Sequence, residues 1–524
     1  MIKSYHYILT VIFLCFVYTG LAQHGTKSIQ ALRIEGPAPL IDGHLQENTW
    51  QEGTSYGGFV QYSPYNGKKA TEQTRVKLRY TDRSLFVGAW LEAKEVPITR
   101  RLTRRDDDGL TDRFEVMIDP FGDGLSGFVF IVTSAGVQKD KKINNGDHDD
   151  NWDAVWKSAV KLESDAWYVE MEIPYAELRF PNAPKQTWHT NFLRSVENIR
   201  ELSTWNYVDV DQDGWLNQTG RLEGVEDIAP PLRLSFTPYL SGYANSAADE
   251  NSFHYNIKGG MDLKYGINES FTLDMMLIPD FGQLEADDQV LNLGPFETFY
   301  SEKRQFFIEG KQMFDRAGVF YSRRIGGQPQ YYDAAGDQAL EHETVEKKKK
   351  KSQLINATKI TGKTSSGFGL GVLNAMTLPV HATLKDTLTG KTRQVQTQGF
   401  ANYNVAVVEQ SLPNNSYISV INTNKYLPDS GFSANNTGAE MELRTRDNLY
   451  GLEVEGAVSH NYARGQEAAL GYFYEAEAGK ISGPLQYQVS QRLESHTYAP
   501  NAMGFLRANN ELVNHARISY DMND

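Results

Sequence analysis

Apolar positions fall into three textures along the chain. Residues 7–18 make one short apolar run, with Lys3 before it and Gly20-Leu21-Ala22 after it. The run is too short to cross a bilayer as a helix. Its order of positive charge, apolar core and small residues predicts an export signal over 1–22, cut after Ala22. A buried helix is the alternative, but no amphipathic period continues the run. From about 29 to 226, short branched and aromatic runs alternate with Asp, Gly, Asn and Pro. Strands are predicted at 74–80, 85–91, 113–118, 128–133, 167–173 and 188–196, with breaks at 106–109 and 119–124. Many short strands at that spacing predict a two-sheet sandwich.

Beyond Pro230-Pro231 the texture changes. Leu232, Leu234, Phe236 and Leu240 alternate with Arg233, Ser235, Thr237, Tyr239 and Ser241. The same period returns at 257–267, 271–277 and 440–446, and less cleanly at 451–458 and 485–493. A strand whose polar half faces a wet lumen and whose apolar half faces lipid reads this way. So does a soluble antiparallel sheet with one solvated face. Two stretches interrupt the alternation. One, at about 279–315, mixes charged and aromatic residues. The other, 341–351, ends in five lysines and reads as a solvated loop between strands, or as a contact for anionic lipid or a phosphorylated glycan.

Composition narrows the classes. A chain of 524 residues suggests two domains. A net charge of -14 argues against nucleic acid as a partner. Aromatics reach 12%, with 28 Tyr and 8 Trp, the residues of sugar-stacking sites and membrane-interface belts. The single cysteine, Cys15, lies inside the N-terminal apolar run. A chain cut after Ala22 would therefore lack disulfides, a cysteine nucleophile and thiolate metal ligands. No second apolar run reaches transmembrane-helix length, a statement that does not bear on barrel strands.

Few motifs point to chemistry. Asp209, Asp211 and Asp213, followed by Gly214, have the alternating oxygen spacing of a calcium loop. Position twelve of that loop is Gly220 rather than Glu, so a calcium site would need ligands from elsewhere, and a plain acidic turn fits the same residues. Asp147-His148-Asp149-Asp150 is a second, weaker acidic cluster. No Gly-x-Ser-x-Gly, His-Glu-x-x-His or phosphate loop is present. Paired carboxylates would serve a glycoside hydrolase, but acidic residues are too numerous here for pairs to be informative.

Two sets of residues carry a family resemblance. Ile41-Asp42-Gly43-His44-Leu45-Gln46-Glu47-Asn48-Thr49-Trp50, Tyr80-Thr81-Asp82-Arg83-Ser84-Leu85-Phe86-Val87-Gly88 and Asp112-Arg113-Phe114-Glu115-Val116-Met117-Ile118-Asp119-Pro120 resemble family-nine carbohydrate-binding modules. The stretch 167–174 and Leu178-Arg179-Phe180 look like later strands of that module. The resemblance implies a site holding a sugar against aromatic faces, with Glu115, Arg194 and Trp215 at or near the matching positions. Arg194 stands where a neutral amide is expected, and no aromatic occupies the earlier clamp position near 104–108.

The second set is Pro279-Asp280-Phe281-Gly282-Gln283-Leu284-Glu285-Ala286-Asp287, then 296–310 and Tyr321-Ser322-Arg323-Arg324-Ile325-Gly326. It resembles the uncharacterised C-terminal domain fused behind such modules in bacterial envelope proteins, and implies a membrane β-barrel. Members of that group are longer, so the resemblance also implies that the natural protein extends past Asp524 and that the barrel is incomplete here.

The expected fold is all-β: a carbohydrate-binding-type β-sandwich over 23–230, then an antiparallel outer-membrane β-barrel over 231–524 with the insert at about 279–315. The expected function is capture of an oligo- or polysaccharide at the outer membrane, assisting its uptake or breakdown, with membrane lipid as the other partner. Calcium at Asp209, Asp211 and Asp213 is the one cofactor considered, and no catalytic residue is assigned. A carbohydrate-active hydrolase and a structural envelope protein that binds another protein are the alternatives.

Overall fold

The structure, a computed structural model, describes residues 25–144, 147–150, 152–228, 234–245, 254–268, 270–281, 291–364, 366–465 and 467–520. The export signal, Cys15, the Pro230-Pro231 boundary and part of the 279–287 motif lie outside them.

The N-terminal part is a two-sheet sandwich. One sheet runs Asp147–Asp149, Gln138–Asn144, Ser126–Thr133, Arg113–Asp119, Trp188–Val196, Gly220–Glu223, with Glu201–Thr204 hooking Val60–Ser63 onto Trp188–Val196. The other runs Thr74–Tyr80, Ser84–Glu92, Ala166–Pro174, Lys157–Leu162. Strand Ser28–Arg33 belongs to both. Its first half pairs in parallel with Gly220–Glu223 and its second half with Thr74–Tyr80. Between the sheets lie Phe114, Val116, Ile118, Phe130, Trp188 and Phe192 from one side and Val76, Leu78, Val87, Ala89, Val169 and Met171 from the other. Each sheet also buries apolar residues on its other face, the first around Met117, Val129, Ile131 and Leu193 and the second around Phe86, which is why their strands read as nearly continuous apolar runs.

The segment from Ile41 to Trp50 caps the far face of the second sheet. Trp50 packs with Leu45 and Phe86. Its indole N–H donates to Glu170 Oε1 at 2.8 Å, while the Asp42 and Gly43 amides donate to Glu170 Oε2 at 3.0 and 2.7 Å. Gly43 has φ +86, and a Cβ there would meet the Lys161 backbone at 2.9 Å, so glycine is required.

The C-terminal part is a twelve-stranded antiparallel meander from Leu234–Asn245 to Leu512–Tyr520, each strand pairing with the next along the sheet. It curls but does not close among the described residues: the first and last strands pair with their inner neighbours and not with each other.

The excursion between Phe271–Leu277 and Leu354–Lys363 continues well past Asp315 and folds onto the concave face. There Phe307, Met313, Phe314, Val319 and Ile325 pack against Leu373, Ala375, Tyr403, Val405, Val407 and Ile421. Arg316 pairs with Glu409 at 2.8 Å, and Thr423 Oγ1 donates to the Val319 carbonyl at 3.3 Å. The lysine-ending stretch is only partly loop. Glu343–Lys347 is a strand that joins Val380–Asp386 and Thr392–Gln398 in a three-stranded sheet, because Val345 packs against a small cluster of Ala335, Ala382, Leu384 and Val395.

Strand pairing assigns the described paired positions of the meander to a face. The convex face carries Leu234, Phe236 and Leu240, then Leu263, Leu273, Met275, Ile360, Leu370, Val408, Val420, Met441, Val454, Ala476 and Val489 on successive strands across the sheet. Asp262, Lys264, Asp274, Lys359, Glu409, Glu440, Glu455, Glu475 and Arg492 all point to the concave side. Among the described paired residues, the only Asp, Glu, Lys or Arg on the convex face is Lys480, the last residue of its strand. No helix among the described residues is long and apolar enough to cross a membrane.

Candidate functional site

The face of the first sandwich sheet that points away from the core is half apolar and half charged. Its floor is Met117, Val129, Ile131, Ile143, Leu193 and Leu216, flanked by Leu202 and Trp215. Glu115 lies opposite Leu193 and Ile131 in the ladder, so it stands on this same face. Its Oε1 accepts from Arg113 Nε at 2.7 Å. Arg113 reaches Asp108 at 3.6 Å, Lys139 Nζ meets Asp108 at 3.0 Å, and Lys141 Nζ meets Asp150 at 3.2 Å. The result is a row of alternating donors and acceptors across neighbouring strands, beside an aromatic pair. The rings of Tyr62 and Trp215 are 4.4 Å apart and tilted by 45°. Both rings are half-buried and keep surface open to a ligand.

Trp215 is set by the loop that precedes it. Gln218 closes that loop, accepting from the Asp209 amide at 2.8 Å and donating to the Gly214 carbonyl at 2.8 Å. Gly214 sits at φ +89, a conformation that suits glycine. The three aspartates of the loop have separate tasks. Asp209 Oδ1 accepts from the Asp211 amide at 3.0 Å. The Asp213 carboxylate pairs with Arg444 of the meander, and its carbonyl accepts from Asn448 Nδ2 at 3.4 Å. The Asp211 carbonyl accepts from the Gly483 amide at 3.2 Å. The loop is therefore a joint between the two parts of the chain, and its carboxylates do not converge on one point. Among the described residues, no three His, Cys, Asp or Glu side chains gather at metal-holding spacing.

Arg194 is separated from Glu115 and Trp215. It lies opposite Phe114 in the ladder, which turns it inward between the sheets, and only 1% of its surface is exposed. Its guanidinium donates to the Gln73 carbonyl at 3.1 Å, Thr74 Oγ1 at 3.2 Å and the Glu92 carbonyl at 2.5 Å, tying the two sheets together. Burial lowers its pKa to about 10, so it stays charged at neutral pH. A one-residue step along a strand changes the face, and that step puts Arg194 in the core while its neighbour Leu193 faces the site.

Tyr62, Arg113, Lys139 and Lys141 are site residues that the sequence did not single out. Arg113 carried a usable signal, since two residues on from it in the same strand is Glu115. Tyr62 and the lysines carried none, because distant segments bring them to this face.

The match to known proteins comes from the C-terminal part. Residues 230–524 match the family described as Domain of unknown function (DUF5916), and the chain belongs to that family. No curated protein matches it. Among solved structures, the chain is similar to a family-9 carbohydrate-binding module from Caldicellulosiruptor kristjanssonii in complex with cellotriose. The identity is 15%, the TM-score 0.28, and the overlap covers 38% of this chain and 96% of that one. The same module with glucose covers 39% of this chain and 100% of its own, at 15% identity and a TM-score of 0.28. A loop L8 deletion mutant of OmpT, an outer membrane protein of Vibrio cholerae, is 12% identical with a TM-score of 0.23, over 55% of this chain and 99% of that one.

Proposed function

We propose that this chain is an outer-membrane protein whose sandwich binds a saccharide and whose meander is embedded in the bilayer. The observation that carries the membrane part is the division of charge between the two faces of the meander. Its convex face holds Leu240, Ile257 and Ile518 at 79%, 75% and 78% exposure, with Lys480 the one charged residue on the described paired positions, at a strand end. The uncharged Asn374, Asn404, Asn422 and Asn435 share this face; its apolar band would drive association in water, whereas in lipid it is the required outer wall. The open edges at Leu234–Asn245 and Leu512–Tyr520 would have to be paired in the bilayer, where an unpaired backbone group costs several kcal/mol.

The sandwich supplies the binding face. The Tyr62 and Trp215 rings offer an apolar platform for a pyranose, and Glu115, Arg113, Lys139 and Asp108 offer forked donors and acceptors to its hydroxyls. Such a face binds and orients; the carboxylates on it are held by cations, as in a recognition site.

Two measurements test the reading. Fractionation of native envelopes should place the full chain with the outer membrane, released by detergent and not by high salt. The solubilised protein should bind saccharides on a glycan array. Recovery in the soluble fraction would refute the membrane part. Failure of the folded protein to bind any saccharide would refute the binding part.

A further inference from the structure

The two ends of the meander differ in the length of their connections. At one end the strands are joined by 267–270, 364–367, 413–415, 445–449 and 481–484, all short connections. At the other end the connections are 246–253, the long excursion 278–353, the hairpin-bearing 378–400, 428–431, 463–468 and 495–511, all but 428–431 longer than any at the first end. Among the described residues, the sandwich meets the strands of the meander at the end with the short connections, where it also faces residues 309–313 of the excursion. Asp213 pairs with Arg444 and accepts from Asn448, the Asp211 carbonyl accepts from Gly483, Lys363 approaches Asp123 at 3.9 Å, and Arg179 donates to Thr272 at 3.1 Å. Every one of these partners in the meander lies within two residues of a short connection.

In barrels of the outer membrane the short turns face the periplasm and the long loops face outward. From this asymmetry we infer that the sandwich, with its Tyr62–Trp215 face, lies on the periplasmic side, and that the partner it fits is a saccharide present beneath the outer membrane and not a polymer outside the cell. The inference rests on the membrane reading proposed above. It makes the three-stranded sheet the part nearest the exterior, and the docking joint a periplasmic collar.

The test uses single-cysteine variants of the full chain in its native membrane, where Cys15 lies in the stretch expected to be removed on export. Ser164 is exposed on the sandwich and Leu388, at 72% exposure, tips the hairpin of the opposite end. A membrane-impermeant maleimide should label Leu388→Cys in intact cells. It should label Ser164→Cys only after the outer membrane is permeabilised. Labelling of Ser164→Cys in intact cells, with the protein still in the outer-membrane fraction, would overturn the inference and leave the membrane reading standing. A chain absent from that fraction would defeat the membrane reading itself.

Discussion

Trp215 and Tyr62 place their rings 4.4 Å apart although 152 positions of chain numbering lie between them, and Trp215 is held there by a loop bolted to the other half of the protein. The proposed binding face and the interdomain joint therefore share one short segment, residues 209–218.

Trp215→Ala should weaken saccharide binding roughly tenfold or more, since a stacked aromatic contributes on the order of 1–2 kcal/mol. Isothermal titration of the solubilised protein measures it. The near-ultraviolet spectrum should show the fold intact, because Trp215 is only half-buried. Unchanged affinity would move the binding face elsewhere.

Arg444→Ala should loosen the joint. Asp213 keeps 45% of its side chain exposed, so the pair alone is worth about 1 kcal/mol or less, and the expected change is a small fall in melting temperature. Because Asp213 is engaged with Arg444, millimolar calcium should leave the melting temperature of the wild type unchanged. A calcium-dependent rise would instead show that the loop rearranges to hold the ion.

Lys142 predicts a pH dependence. Burial pushes its pKa down to about 7, with Arg179 adding to the fall. Between about pH 7 and the ordinary lysine range near 10.4 the unfolded chain binds more protons at this position than the folded one, so stability from this group rises with pH across that window. Below about pH 7 both states are protonated and the cost of the buried charge is fully present. Melting temperature followed from pH 7 to 10 should climb in the wild type and climb less in Lys142→Met. Equal slopes would sink the assignment.

Leu273→Lys should impair assembly into the membrane, at a cost of roughly 2–4 kcal/mol if the position lies near the bilayer midplane. Asp262→Asn, on the concave side, should be tolerated. The yield of heat-resistant protein in the outer-membrane fraction reports both. Equal yields from Leu273→Lys and wild type would argue that the convex face meets water.

Periodicity alone determined much of this protein. The strand at 188–196 was predicted with the bounds it has, and 113–118 and 128–133 to within a residue or two, because buried strands must be apolar on both faces. Alternation at 271–277 already separated Leu273 from Asp274, since a strand turns every second side chain to the same face. The Asp209–Gly214 spacing, in contrast, was silent about Arg444, which no local pattern connects to it. Arg194 shows the limit most plainly. The resemblance set it near a sugar-binding position, where a neutral amide is expected, and the pairing with Phe114 turns it inward to brace the sheets. Register, docking and face are relations between distant segments. They are decided by which surfaces can be buried together, and that is a property of the folded chain that a single stretch of sequence does not contain.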